Sequence, residues 1–109
     1  MGTMTYDGAI VEFDDRLLTH LQIVVMQRLR RGEGFVMSWL DALEVGDGRS
    51  SVWMSPHIAV YFKFAGSRVP EIVEEWLRVL SASAASSRGL IVTDQDGRPS
   101  RALRGNRRA

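Results

Sequence analysis

The chain has no cysteine, a single lysine, two histidines and three prolines, and each shortage removes a class of chemistry. Without cysteine there is no disulfide framework and no thiolate for a zinc site, and nothing calls for an oxidising compartment. His20 and His57 stand alone, with no His-x3-His pair, so neither has a sequence partner for metal binding or general-base work. Both are expected to be packing or surface residues, and no metal site is expected. No stretch approaches the roughly 18 apolar residues of a membrane span. The opening Met1 to Gly8 lacks the basic start and apolar run of a signal peptide. The expectation is a cytoplasmic protein with no membrane partner.

What is present fits one soluble domain. At 109 residues, 45% hydrophobic and 25% charged, the chain can bury a core but is short for an enzyme that must build its own cleft. The net charge of +1 hides an asymmetry. Arg98, Arg101, Arg104, Arg107 and Arg108 give the last 12 residues +5 with no acid, leaving 9 basic and 13 acidic side chains in the body. A basic end on a mildly acidic body is a layout suited to contact with a polyanion such as nucleic acid, or with the protein's own acidic face.

Read in order, Thr3–Tyr6 and Ala9–Phe13 flank Asp7-Gly8, a pair that closes a hairpin by accepting positive φ. Asp14 is a helix N-cap, and Leu17, Leu18, Leu21, Val24, Val25 and Leu29 recur at helical spacing up to Arg31-Gly32. FVMSW (35–39), SSVWMS (50–55) and IAVYFKF (58–64) read as three successive antiparallel strands, turning at Gly46-Asp47-Gly48-Arg49 and at Pro56. Pro70 suits the first position of a second helix, with Glu71, Glu74 and Glu75 in its early turns and Ile72, Val73, Trp76, Leu77 and Leu80 as its apolar stripe. Residues 89–93 read as a last strand. The resulting fold class is α+β, order ββαβββαβ, with an antiparallel sheet and two helices packed on one face. The domain is expected to span residues 1–93, with residues 94–109 a basic, disordered tail.

Two local strings invite chemistry. Asp94-Gln95-Asp96-Gly97 has the composition of a calcium loop but lacks its distal glutamate. Lys63-Phe64-Ala65-Gly66-Ser67-Arg68 matches the lysine, glycine and arginine of the ATP-dependent DNA ligase nucleotidyltransferase motif and departs from it at Ala65, where that motif has aspartate. There the lysine would attack the α-phosphate of ATP, with magnesium managing the charge. The joint set Tyr6-Asp7-Gly8, Asp14-Asp15-Arg16-Leu17-Leu18, Leu29-Arg30-Arg31-Gly32-Glu33, Gly46 to Trp53 and Lys63 to Arg68 resembles a family of short actinobacterial proteins of unknown function. That resemblance covers about residues 1 to 94. Members often carry the label of ATP-dependent DNA ligase, which implies adenylyl transfer through Lys63 with ATP and Mg as cofactors; without it, no cofactor is expected.

The stronger candidate is a sheet face. Alternation puts Val52 and Met54 on one side and Ser51 and Trp53 on the other; likewise Ile58, Val60, Phe62 and Phe64 oppose Ala59, Tyr61 and Lys63. Arg49, Ser51, Trp53, Tyr61, Lys63 and Arg68 are therefore expected to form one aromatic and basic face. Such a face suits a homodimer or protein partner, or single-stranded nucleic acid stacked on the rings with the arginine-rich tail on its phosphates.

Overall fold

The computed structural model describes residues 1–106; Arg107 and Arg108 lie outside the described residues. Strands β1 (Gly2–Tyr6) and β2 (Ala9–Phe13) form a hairpin in which Tyr6 faces Ala9. Its two turn residues both take positive φ, Asp7 at 48° and Gly8 at 87°, the twist that a two-residue hairpin loop requires. Helix α1 (Asp15–Arg30) starts where the Asp14 carboxylate accepts the Arg16 N–H. It ends at Arg31 and Gly32, the latter at φ 74°. Leu18, Leu21 and Val25 of its apolar stripe are wholly buried, each worth about 2 kcal/mol relative to exposure.

Strand β3 (Phe35–Asp41) leads through a short 3-10 turn (Leu43–Val45) into β4 (Arg49–Met54), and the two pair antiparallel from Phe35 facing Met54 to Leu40 facing Arg49. The remaining elements are β5 (Val60–Lys63), α2 (Glu74–Ala85), β6 (Leu90–Ile91) and β7 (Arg101–Asn106). Among the described residues the architecture is α+β: two α-helices and a seven-stranded, mostly antiparallel sheet ordered β4-β3-β7-β2-β1-β5, with β6 on β3.

Four expectations are corrected here. First, β5 does not follow β4 in the sheet; it pairs antiparallel with β1 at the opposite end of the order. Residues 55–59 carry the chain to the free edge of β1, where Phe62 meets Met4 and Val60 meets Tyr6. Ile58 consequently lies outside the strand and is 38% exposed. Second, α2 begins at Glu74 rather than at Pro70, because Val73 remains extended with its N–H held by the buried His20 ring, 3.0 Å from Nε2.

Third, the sheet is mixed: β6 and the start of β7 both run parallel to β3. Between them residues 93–99 form a turn, closed where Thr93 bridges Pro99 and where the Asp94 carboxylate accepts the N–H groups of Asp96 and Arg98. This turn accounts for the Asp94-Gln95-Asp96-Gly97 string. Fourth, residues 101–106 are not a disordered tail. They form β7 in the middle of the sheet, pairing with β3 through Arg101 and Ala102 and with β2 from Leu103 to Asn106. Backbone hydrogen bonding to two neighbours, with Ala102 as the buried side chain, recruits this segment, which is why its arginine-rich composition concealed it.

The sheet is rolled. Four steps of about 4.8 Å would hold β1 and β4 about 19 Å apart if it were flat. Instead the Tyr6 hydroxyl of β1 accepts the N–H of Ser55, just beyond β4, at 2.7 Å. The inner face carries Met4, Val11, Phe13, Met37 and Met54, in one core cluster with the buried residues of both helices. Trp39 packs edge-on against Phe13, with ring centroids 5.9 Å apart.

Candidate contact face on β4

The alternation of β4 is as its sequence implies: Arg49, Ser51 and Trp53 are exposed, Ser50 and Val52 half-buried, Met54 buried. Which way its backbone points follows from β3. The Ser38 carbonyl accepts the Val92 N–H and the Leu40 N–H donates to the Ser100 carbonyl, so the even residues of β3 turn away from β4. The odd ones turn toward it, as the Asp41 N–H donated to Gly48 shows. Met37 and Trp39 are therefore the residues that exchange bonds with Val52 and Ser50, and the N–H and C=O of Arg49, Ser51 and Trp53 point outward along the end of the sheet. Among the described residues no strand pairs with that edge.

Trp53 is 60% exposed. Its indole lies across Gly34, where a Cβ would come within 2.6 Å of the ring, so a glycine is what lets the side chain lie flat over the start of β3. Beside it the outward row of β3 floors an open groove of about 550 Å³, with Ile91 of β6 continuing that floor and Arg49 and Arg88 among the residues that line it. Ser38 and Ser51 share a hydrogen bond at 2.8 Å across the floor.

Arg49, Ser51 and Trp53 thus come together. Tyr61 and Lys63 do not join them: Tyr61 is 64% exposed, but both lie on β5 at the other end of the strand order, and Arg68 is in the exposed loop after it. Of the six residues expected on one face, three stand on β4, two on β5 and Arg68 in a loop, because alternation was read correctly while the strand neighbour was not. Arg88 and Ile91 were missed, since parallel pairing of β6 with β3 leaves no local signal. The arginines of the last segment are also dispersed. Arg98 sits in the 93–99 turn, and Arg101 is held by the Asp41 carbonyl at 2.8 Å and by the Asp47 carboxylate at 3.2 Å. Arg104 is on β7.

The Lys63 to Arg68 string has a structural anchor. The Asp15 carboxylate, in the first turn of α1, accepts the N–H of Gly66 at 3.0 Å and that of Ala65 at 3.0 Å. Those bonds, Gly66 first and then Ala65, hold its pKa below the ordinary carboxylate range. Because the folded value is the lower one, the stabilisation is present above the unfolded value of about 3.9 and disappears as pH falls through the folded value. Asp15→Ala is expected to speed amide exchange at Ala65 and Gly66 at neutral pH and to flatten the acid limb of the stability curve below about pH 4. Unchanged exchange at both amides would remove this anchor. Gly2 packs against the same point, with a Cβ there falling 2.7 Å from the Asp15 carboxylate. His20 is fully buried and bonded to backbone at both ring nitrogens. His57 is exposed in the loop before β5.

Among the described residues no three His, Asp or Glu side chains are gathered, and no helix is long and apolar enough to cross a membrane. The geometry defines a small α+β domain with a rolled, mostly antiparallel sheet and an unpaired end strand. By sequence the chain belongs to a family described as a domain of unknown function, DUF7882, whose model matches residues 1–95 and so ends before β7. No curated protein and no solved structure matches it.

Proposed function

We propose that the protein is a non-enzymatic binding module that pairs with a second copy of itself through β4. The single observation that carries this reading is the outward edge of β4, where the unpaired backbone groups belong to Arg49, Ser51 and Trp53, whose side chains also stand exposed on the groove face. An unguarded edge strand is a template for another strand, and a two-fold axis lets one edge serve both partners. In the antiparallel register centred on Ser51, each Ser51 faces its counterpart and each Arg49 faces the Trp53 of the other copy. All three positions then use the outward backbone groups, like charges stay apart, and a guanidinium lies beside an exposed indole. Tryptophan and arginine are also the side chains that dominate association energies. Tyr61, Lys63 and Arg68 take no part in this contact.

The test uses the absence of cysteine. Facing residues in a bonded antiparallel pair have Cα atoms about 5.5 Å apart, within the span of a disulfide. Ser51→Cys is therefore expected to cross-link quantitatively as a dimer under mild oxidation, and Ser50→Cys to remain largely without a cross-link. In sedimentation, Trp53→Ala should weaken the dimer about 30-fold, the effect of losing about 2 kcal/mol at a central contact. A monomer mass at all concentrations, with no Ser51→Cys cross-link, overturns the reading. If a single-stranded oligonucleotide instead binds the groove with steep salt dependence, Arg49 and Arg88 serve phosphates and the partner is nucleic acid.

A further inference from the structure

The outward face of an antiparallel sheet, turned from the core, is where polar side chains are expected. Along β3 that face instead carries Val36 and Leu40, and β6 sets Ile91 beside them. All three are half-buried, and together they floor the open groove of about 550 Å³ next to β4. Ser38 and Ser51, the uncharged polar side chains of its wall, are hydrogen-bonded to each other. Two cations, Arg49 and Arg88, line the groove and no acid does. Both arginines are exposed, and the ion pairs among the described residues engage other side chains.

The two guanidiniums belong to opposite ends of the floor. Arg49 is the register partner of Leu40, whereas Gly89, the neighbour of Arg88, passes so close to Val36 that an added Cβ would meet its carbonyl oxygen. Val36 and Leu40 are four residues apart, about 13 Å in a strand. An occupant that fits must therefore be elongated, cover aliphatic surface and carry negative charge. Unpaired bases stack on exposed rings, and the floor has none: Trp39 is buried, and Trp53 lies over Gly34 outside the groove wall. A small inorganic anion would meet a guanidinium and leave the floor bare. We infer that this groove binds an elongated aliphatic carboxylate, its chain laid along Val36, Leu40 and Ile91 and its head group held by the fork of Arg88. The volume lies within the roughly 300–1,000 Å³ of ligand sites, and an arginine fork matches the two oxygens of a carboxylate. The groove lies within one subunit and exists with or without the pairing through β4; Arg88 is singled out over Arg49 because that pairing places Arg49 beside the indole of the second copy.

The probes are hexanoate, octanoate and octanol, titrated at millimolar concentration and constant ionic strength into the ¹⁵N-labelled full chain and followed at the amides of Val36, Ser38, Leu40 and Ile91. Octanoate is expected to bind about fourfold more tightly than hexanoate, at about twofold for each methylene, because the groove covers only one side of the chain. It should also bind about tenfold more tightly than octanol, the worth of one charge-assisted contact, and in Arg88→Gln that difference should vanish. Equal affinity for hexanoate and octanoate means an adventitious ion on an exposed arginine only, and overturns the inference. So does an octanoate affinity unchanged in Arg88→Gln, or the absence of movement at the four amides. An oligothymidylate that moves the same amides at lower concentration than octanoate assigns the groove to nucleic acid and overturns it too. Arg88 and Ile91 lie off β4, so Arg88→Gln should sediment as the unaltered chain does. The titration repeated on Trp53→Ala reads the groove in a chain weakened in pairing, which keeps failure of one reading distinct from failure of the other.

Discussion

Deleting residues 101–109 is expected to abolish cooperative folding. Residues 101–106 are β7, the strand through which the β4-β3 pair is joined to the β2-β1-β5 sheet. The strand makes four residue pairs with β2 and two with β3, the Ala102 carbonyl accepts the Ala42 N–H at 2.9 Å, and Ala102 itself is buried. At about 1 kcal/mol for each net hydrogen bond, the loss amounts to several kcal/mol, comparable with the total stability of about 5–15 kcal/mol of a small domain. The deletion also opens two new strand edges and exposes the inner core to water. Calorimetry of the shortened chain should show no sharp unfolding transition, with near-UV circular dichroism lost and a hydrophobic dye bound. An unchanged transition would mean that β7 contributes nothing and that the segment behaves as a tail. Ala102→Asp, which places a carboxylate at the buried position of the same strand, should act in the same direction without shortening the chain.

The second large effect is expected at His20, one of the two residues that composition alone brought forward as possible chemistry. The ring is fully buried in α1 and stacks on Trp76 of α2, with centroids 4.4 Å apart and planes at 28°. Nδ1–H donates to the Arg16 carbonyl at 2.7 Å and Nε2 accepts the Val73 N–H at 3.0 Å, an arrangement that only the neutral Nδ1–H tautomer can make. The histidine thus serves α2 from outside: Val73 precedes the helix and has no side-chain cap of its own, so the imidazole satisfies its amide. His20→Ala leaves that N–H without a partner and opens a cavity beside Trp76. The two losses together should cost about 3 kcal/mol and lower Tm by about 15 °C. His20→Phe retains the ring but not the acceptor, and should recover about half of the loss if stacking matters as much as the bond. Equal destabilisation by alanine and phenylalanine would assign the whole effect to the hydrogen bonds. A His20→Ala chain as stable as the original would discard the structural role.

The two cases show where reading from sequence succeeds and where it stops. Helix α1 was legible almost to the residue, since its N-cap Asp14, its apolar stripe and the Arg31-Gly32 end are all local signals. The first hairpin was legible for the same reason, through Asp7-Gly8. The start of α2 was misjudged because Pro70 and three glutamates look like a helix beginning, whereas the amide that defers it is held by a side chain more than fifty residues earlier. On β4 the outward set of Arg49, Ser51 and Trp53 was recovered by alternation, and Tyr61 and Lys63 on β5 were likewise exposed as expected. That they share no strand pair was invisible, because nothing in IAVYFKF distinguishes β4 from β1 as its neighbour. Arg98 and Arg101, read as part of a basic tail, belong to a turn and to the central strand of the sheet.

The linear chain determined the two helices, the existence of most strands and the side of each strand on which a residue stands, because these depend on spacing over a few residues and on backbone geometry that every chain shares. Only the tertiary structure decided which edge meets which, that an arginine-rich segment completes the middle of the sheet, and that the sheet rolls far enough for Tyr6 of β1 to bond the backbone at the end of β4. Strand pairing is made by backbone groups common to all residues, so its partners are chosen by the global packing and leave little trace in any one segment.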